Sequence, residues 1–425
     1  MLESQSQLVI FFLSMTVLGG CSKNESVEER SSENQIVNHT QNSTKNRIVA
    51  DDHKNLSVTK KQQVANSPSK RKKLKKGTPE WLVREIFITR IGRKVETDDV
   101  NVLKKLRRKR NLEIVQLAED AISLTKDEPS KQKLFQTAVR QLMQSRIELA
   151  MQGSQSEIDE LYALADVLYR RDPNSKVAAD AAFDIAYFAN RKATESEKPN
   201  THWLDEFLRN AQVFARRFPH EERRAIQLLD AAGKSCEYYH NTQAAMRCYI
   251  QLRKQFPDSE QAKYAVAILR RLSLKGNPLQ LGGPTIDGGE FQIERLKGKI
   301  VLVVFWDSHS GKFQKQLNPL KQTIARYRNV GLKVVGVNLD EKEIDVDRFL
   351  EKWSLDWPQI FPAAIEKRRW NHPVANYYAI RNVPTYWLVD RRGIVVETNL
   401  QPQQLDGFIR KLRTQTAQNS KSSHH

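Results

Sequence analysis

From Thr78 to about Leu274, apolar residues recur every three or four positions and strand-like alternation is scarce. That rhythm sets one face of each successive α-helix against a common core. It predicts about nine helices, including 98–124, 130–151, 155–171, 175–192, 202–217, 221–239, 242–255 and 258–273. Asp172-Pro173-Asn174-Ser175 and Phe256-Pro257-Asp258-Ser259 support the boundaries by placing Pro with Ser or Asp between helices. Beyond residue 276 the rhythm changes. The run Lys299-Ile-Val-Leu-Val-Val-Phe-Trp306 is apolar without a break after its lysine, as in a strand buried on both faces of a sheet. After a lead-in near 290–295, the pattern predicts strand 299–306, helix 313–328, strand 332–338 and helix 343–354. A short strand near Ile360, a helix near 373–378, strands 385–389 and 394–398 and a helix over 402–414 complete it. Such alternation builds a mixed sheet with helices on both faces.

The first 77 residues follow neither pattern. Leu8–Leu18 is an apolar run too short to span a bilayer and suited to the core of a signal peptide. It ends in Leu18-Gly19-Gly20-Cys21, which resembles the bacterial lipobox, although residues 1–7 carry Glu3 and no Lys or Arg. The resemblance implies removal of a signal peptide over 1–20 and acylation of Cys21, a durable anchor once several chains are attached. From Ser22 to about Gly77, Ser, Asn, Gln, Lys and Glu dominate, and the segment 21–77 reads as a disordered basic tether. It closes on Lys70-Arg-Lys-Lys-Leu-Lys-Lys76, a cluster able to hold an anionic surface. The formal net charge of +19 points the same way, towards acidic lipid or polyanionic polymer, or simply towards solvated basic faces such as Lys104–Arg110. No nucleic-acid fingerprint accompanies it.

Within the helical region, 226–257 resembles a tetratricopeptide repeat. Leu229, Gly233, Ala245, Tyr249 and Pro257 fall at that family's large, glycine, alanine, aromatic and proline positions. The spacing of the other hairpins is irregular, so 78–275 reads as a degenerate tetratricopeptide-like stack, a scaffold for protein contact. The chain has three cysteines, Cys21, Cys236 and Cys248. The last two lie on the two helices of the good repeat, and both a disulfide and two buried thiols stay open. Nine scattered histidines include no pair at helical spacing, so neither a metal nor another cofactor is expected.

Residues 276–415 resemble the thioredoxin-like domain of the TlpA-like family. The resemblance rests on Phe305-Trp306, on Leu296-Lys-Gly-Lys299, and on Tyr378-Ala-Ile-Arg-Asn-Val-Pro-Thr385 followed by Trp387-Leu-Val-Asp390 and Gly393. It implies a cis Val383–Pro384 bond facing the loop 307–313, and a peptide-binding surface of Trp306, His309, Val383, Pro384 and Thr385. The fold class is thus multidomain: an all-α tetratricopeptide-like helical stack, then an α/β thioredoxin-like domain, with a disordered tail over 416–425. The family's two redox cysteines are missing, because their positions hold Ser310 and Phe313. Thiol–disulfide exchange needs a thiolate and a second thiol to resolve the mixed disulfide, and this domain contains neither. Ser308, His309 and Ser310 offer no evident replacement, since neighbouring loop residues seldom pair as nucleophile and base and no Asp or Glu is obviously placed to orient His309.

These residues lead to an envelope protein, anchored to a bacterial membrane through lipid and basic tether, that binds or scaffolds proteins or peptides. Two alternatives stand beside it. One is a thiol-disulfide oxidoreductase of cell redox homeostasis, with Cys236 and Cys248 as its thiols; the other is attachment to anionic envelope polymer.

Overall fold

The computed structural model describes residues 74–92, 97–195 and 200–422. Cys21, the expected signal peptide and the tether as far as Lys73 lie outside the described residues.

Nine helices come first among the described residues: α1 (Pro79–Ile91), α2 (Val100–Ser123), α3 (Gln132–Met151), α4 (Gln155–Arg171), α5 (Lys176–Ala193), α6 (Thr201–Arg217), α7 (Glu222–Tyr238), α8 (Thr242–Gln255) and α9 (Glu260–Leu272). Their bounds fall within two residues of those the apolar spacing predicts. Side-chain caps explain the agreement. Asp99, Ser175, Asn200, Asn241 and Ser259 each accept a hydrogen bond from a first-turn amide of the helix that follows. The helices share a core rich in alanine, which lets neighbours approach closely around larger anchors such as Phe188, Phe207, Phe214 and Tyr249.

Inside that stack, Asp184 of α5 is largely enclosed. Burial first, and the nearby Asp180 second, push its carboxyl up to about 6 against the opposing pull of Arg224 and Arg140. Because the folded state holds this proton more tightly than the unfolded chain, its contribution to stability is complete below about pH 4. That contribution is lost as pH rises through about 6. Asp184→Asn is therefore expected to raise stability at neutral pH by about 1–2 kcal/mol. It should also flatten the decline between mildly acid and neutral pH in urea denaturation, and an unaltered profile would refute this placement.

The sheet follows. β1 (Gly282–Pro284) and β2 (Glu290–Gln292) form a small antiparallel ribbon ahead of β3 (Ile300–Trp306). Then come α10 (Gly311–Tyr327), β4 (Leu332–Asn338), α11 (Glu343–Trp353), β5 (Gln359–Ile360), α12 (Pro373–Tyr377), β6 (Thr385–Val389), β7 (Val395–Glu397) and α13 (Leu405–Ser422). The main sheet runs β5-β4-β3-β6-β7, with β3, β4 and β5 mutually parallel, β6 antiparallel to β3, and β7 antiparallel to β6. Every residue of β3 is buried. Ile300, Leu302, Val304 and Trp306 enter the core under α10, α11 and α13, while Val301, Val303 and Phe305 enter the opposite core beside α12. That two-sided burial is what its unbroken apolar run requires. One boundary differs from expectation: α13 runs to Ser422, past residue 415, since no Gly or Pro follows Gly407 to stop it.

Arg71–His425 form one compact unit. Contacts between the stack and the C-terminal domain run from α9 to the end of α12 and the segment joining it to β6, and from His240 Nδ1 to Asn399 Nδ2 at 2.9 Å. Arg271 donates through Nε to Tyr378 O at 3.1 Å and through Nη2 to Glu237 Oε2 at 2.6 Å. Arg270 lies over the Tyr377 ring, and Arg381 donates to Tyr264 Oη at 2.6 Å. Ala379 packs into the helical core itself.

Candidate functional site

β3 ends at Trp306 on the C-terminal edge of the sheet, and α10 begins five residues later, at Gly311. In parallel sheets this edge gathers loops and ligands. The β3–β6 register pairs Phe305 with Thr385, so the Val383–Pro384 bond, which is cis, lies beside the same edge. Val383, Pro384 and Thr385 are half-buried and His309 is exposed, so these four offer surface. Trp306 does not. It is fully buried, donates from Nε1 to Gln359 Oε1 at 2.9 Å, and stacks among Phe313 and Phe349. Gly336 makes room for that hydrogen bond, because a Cβ there would collide with both partners. Trp306 therefore supports the loop from beneath, and the expected peptide contact through it gives way to a core role.

The two positions of the absent cysteines have distinct structural duties. Ser310 is the N-cap of α10, its Oγ accepting from the Phe313 amide at 3.3 Å. Phe313 is completely buried, with its ring 5.2 Å from Trp306 and 5.8 Å from Phe349 between centroids. One is a helix cap and the other is core.

The loop itself is fixed by an acid that sequence reasoning missed. Asp340, just past the end of β4, is buried and accepts from the Ser308 amide at 2.9 Å and from Ser308 Oγ at 2.7 Å. Its Oδ1 also lies 3.3 Å from His309 Nδ1, and Asn338 Nδ2 donates to its Oδ2 at 2.6 Å. So an acid does face His309, contrary to the sequence expectation. The arrangement is still not a nucleophile triad. Ser308 spends its proton on Asp340, and Ser308 and Asp340 both face the same ring nitrogen, Nδ1, instead of opposite ones. Nε2 has no partner among the described residues, and the ring is mostly exposed. The signal that could have found Asp340 was its place: a polar Asn338-Leu339-Asp340 at the carboxyl end of the strand beside β3. Asp307 is half-enclosed, and burial, then the charge of Asp340, raises its carboxyl above the usual range.

Cys236 and Cys248 are buried free thiols in the helical core. Burial pushes the Cys236 thiol up to about 11, with Asp205 adding to it. Cys248 is pushed up as well, by burial and then by Cys236. Neither environment favours a thiolate. Among the described residues no cluster of His, Cys, Asp and Glu is placed to hold a metal ion.

Comparison with known proteins falls on the C-terminal half. Residues 276–398 match the model of the AhpC/TSA family. A thiol-disulfide oxidoreductase ResA of Bacillus cereus is 28% identical over 130 residues, covering 30% of this chain and 71% of that protein. A second ResA, from Halalkalibacterium halodurans, is 22% identical over 131 residues, covering 30% of this chain and 70% of its own. The crystal structure of the thioredoxin domain of a thiol-disulfide oxidoreductase from Bacteroides vulgatus aligns at 25% identity with a TM-score of 0.29. That alignment covers 32% of this chain and 96% of the other. The C-terminal part of the chain is a thioredoxin-like domain matching the AhpC/TSA family model, and it follows a helical region.

Proposed function

We propose that this chain is a membrane-anchored envelope protein whose thioredoxin-like domain binds protein or peptide segments without exchanging disulfides. One observation carries the reading: the loop that would bear the nucleophile and its resolving partner holds a helix cap, Ser310, and a core ring, Phe313. The exposed His309 and the half-buried Val383, Pro384 and Thr385 form the surface left at that edge. An extended segment laid along the Pro384 loop would bond to backbone groups, with side-chain specificity set by these four residues. The lipobox-like Cys21 supplies the anchor, and the helical stack adds a second surface for partners.

The relatives' names favour a second reading, a thiol-disulfide oxidoreductase. It would have to use Cys236 and Cys248, whose burial opposes ionisation. Attachment to anionic envelope polymer through the basic segments is a third, supported by charge alone. An insulin-reduction assay with dithiothreitol separates the first two. The full chain is expected to add nothing to the background rate, and Cys236→Ser/Cys248→Ser to change nothing. Turnover that vanished in the double variant would overturn the binding reading.

A further inference from the structure

The first two helices present a surface that neither the stack nor the sheet uses. α1 exposes Glu80, Arg84, Phe87, Ile88 and Ile91, spaced to form one outward stripe. Ile91 is 82% exposed, and Phe87 and Ile88 are each close to half. An end helix of a stack normally turns a polar face outward, and this one turns bulky apolar side chains.

The neighbouring turns of α2 explain what such a face suits. From Val100 to Leu112 the sequence holds no acid and six bases: Lys104, Lys105, Arg107, Arg108, Lys109 and Arg110. All but Arg110 are exposed, and none of the six makes an ion pair among the described residues. Val100 and Val102 before them and Leu112 after them are exposed as well. Arg110 joins the helices, donating from Nη1 to Arg90 O at 3.4 Å, with its guanidinium against Gly92. Apolar stripe and basic turns therefore belong to one end of the stack. The acids nearby among the described residues are Glu80 and Glu85 on α1, Asp98 and Asp99 before α2 and Glu113 just past the basic turns, and Asp99 is spent capping α2.

Two copies of this chain meeting here would bring uncompensated positive charge together. An acidic hydrophilic partner would leave the apolar stripe in water. A medium both anionic and oily satisfies both halves at once. We propose that the α1–α2 end docks on an anionic lipid bilayer, with Phe87, Ile88 and Ile91 at the acyl boundary and the basic turns of α2 among the headgroups. The contact is independent of acylation at Cys21, and it would hold the helical region against the membrane instead of letting it hang from a tether.

The test uses the full chain carrying Cys21→Ser and a polarity-sensitive dye on Ile91→Cys, the other two thiols being buried. Vesicles of phosphatidylcholine with phosphatidylglycerol are expected to shift the dye's emission to the blue, and pure phosphatidylcholine to leave it unshifted. Lys104→Glu/Lys105→Glu/Arg108→Glu should weaken the vesicle dependence of that shift at least roughly a hundredfold. A second label-free comparison by flotation should show Phe87→Ser/Ile88→Ser losing retention at high salt, with an unchanged thermal melt certifying the fold. A dye that stays in water while the chain floats with the vesicles would overturn the proposal. So would a blue shift that appears without lipid and grows with protein concentration, which would mark a contact between copies.

Discussion

The Ser310→Cys/Phe313→Cys chain is expected to reduce insulin in the presence of dithiothreitol well above the background left by the native chain. It is also expected to be less stable by about 2–4 kcal/mol. Both effects come from the same two side chains. Position 310 caps α10, so a thiol there would sit at the positive end of a 17-residue helix, which favours its thiolate. Position 313 is one turn along the same helix, facing inward, where a second thiol could resolve a mixed disulfide. The stability loss has a separate origin. Phe313 packs against Trp306 and Phe349, and a cysteine fills only part of that space. Phe313→Cys alone should show the full loss in guanidinium denaturation with no gain of turnover. Should the double variant fold yet exchange no faster than a free thiol, the loop held by Asp340 would be closed to substrates, and the binding surface proposed around Pro384 would lose its support.

How much of this was legible beforehand varies with the range of the interaction. β3 was legible because burial on both faces leaves a simple mark, seven consecutive apolar residues. The helices were legible because their spacing and caps are local. β1 was not, since Gly282-Gly283-Pro284 has no side-chain alternation to display. That positions 310 and 313 hold Ser and Phe was legible, but Phe313's role as a core ring was not. That role depends on Phe349, which arrives from α11. Asp340 escaped notice for the same reason: it comes to Ser308 from the next parallel strand, 32 residues away. The contacts of α9 with the end of α12 and the segment joining it to β6 were illegible altogether. Arg270 and Arg271 donate to the carbonyls of Tyr377 and Tyr378, 107 residues further along, a pairing that local spacing does not mark.

Gly233→Val is expected to cost about 3 kcal/mol. A Cβ at 233 would stand 2.6 Å from Tyr249 Cζ and 2.9 Å from Cε1, closer than real side chains pack. Tyr249 is fully buried and cannot simply swing away. Its hydroxyl donates to Glu237 Oε1 at 2.8 Å, and the other oxygen of Glu237 holds Arg271 at 2.6 Å. Arg271 in turn donates to Tyr378 O, so displacing one ring in the α7–α8 hairpin disturbs a path reaching the thioredoxin-like domain. Tyr249→Phe keeps the ring and removes only the hydroxyl, and should cost about 1 kcal/mol. Arg271→Ala leaves the hairpin packed but opens the contact to Tyr378, so it should split the denaturation curve by loosening the C-terminal domain first. Hydrogen exchange at the Ile380 amide, which bonds to Ala375 O beside that contact, would report the same loosening in Gly233→Val and not in Tyr249→Phe. Equal protection in all three variants would mean that the hairpin and the sheet are packed side by side without being coupled.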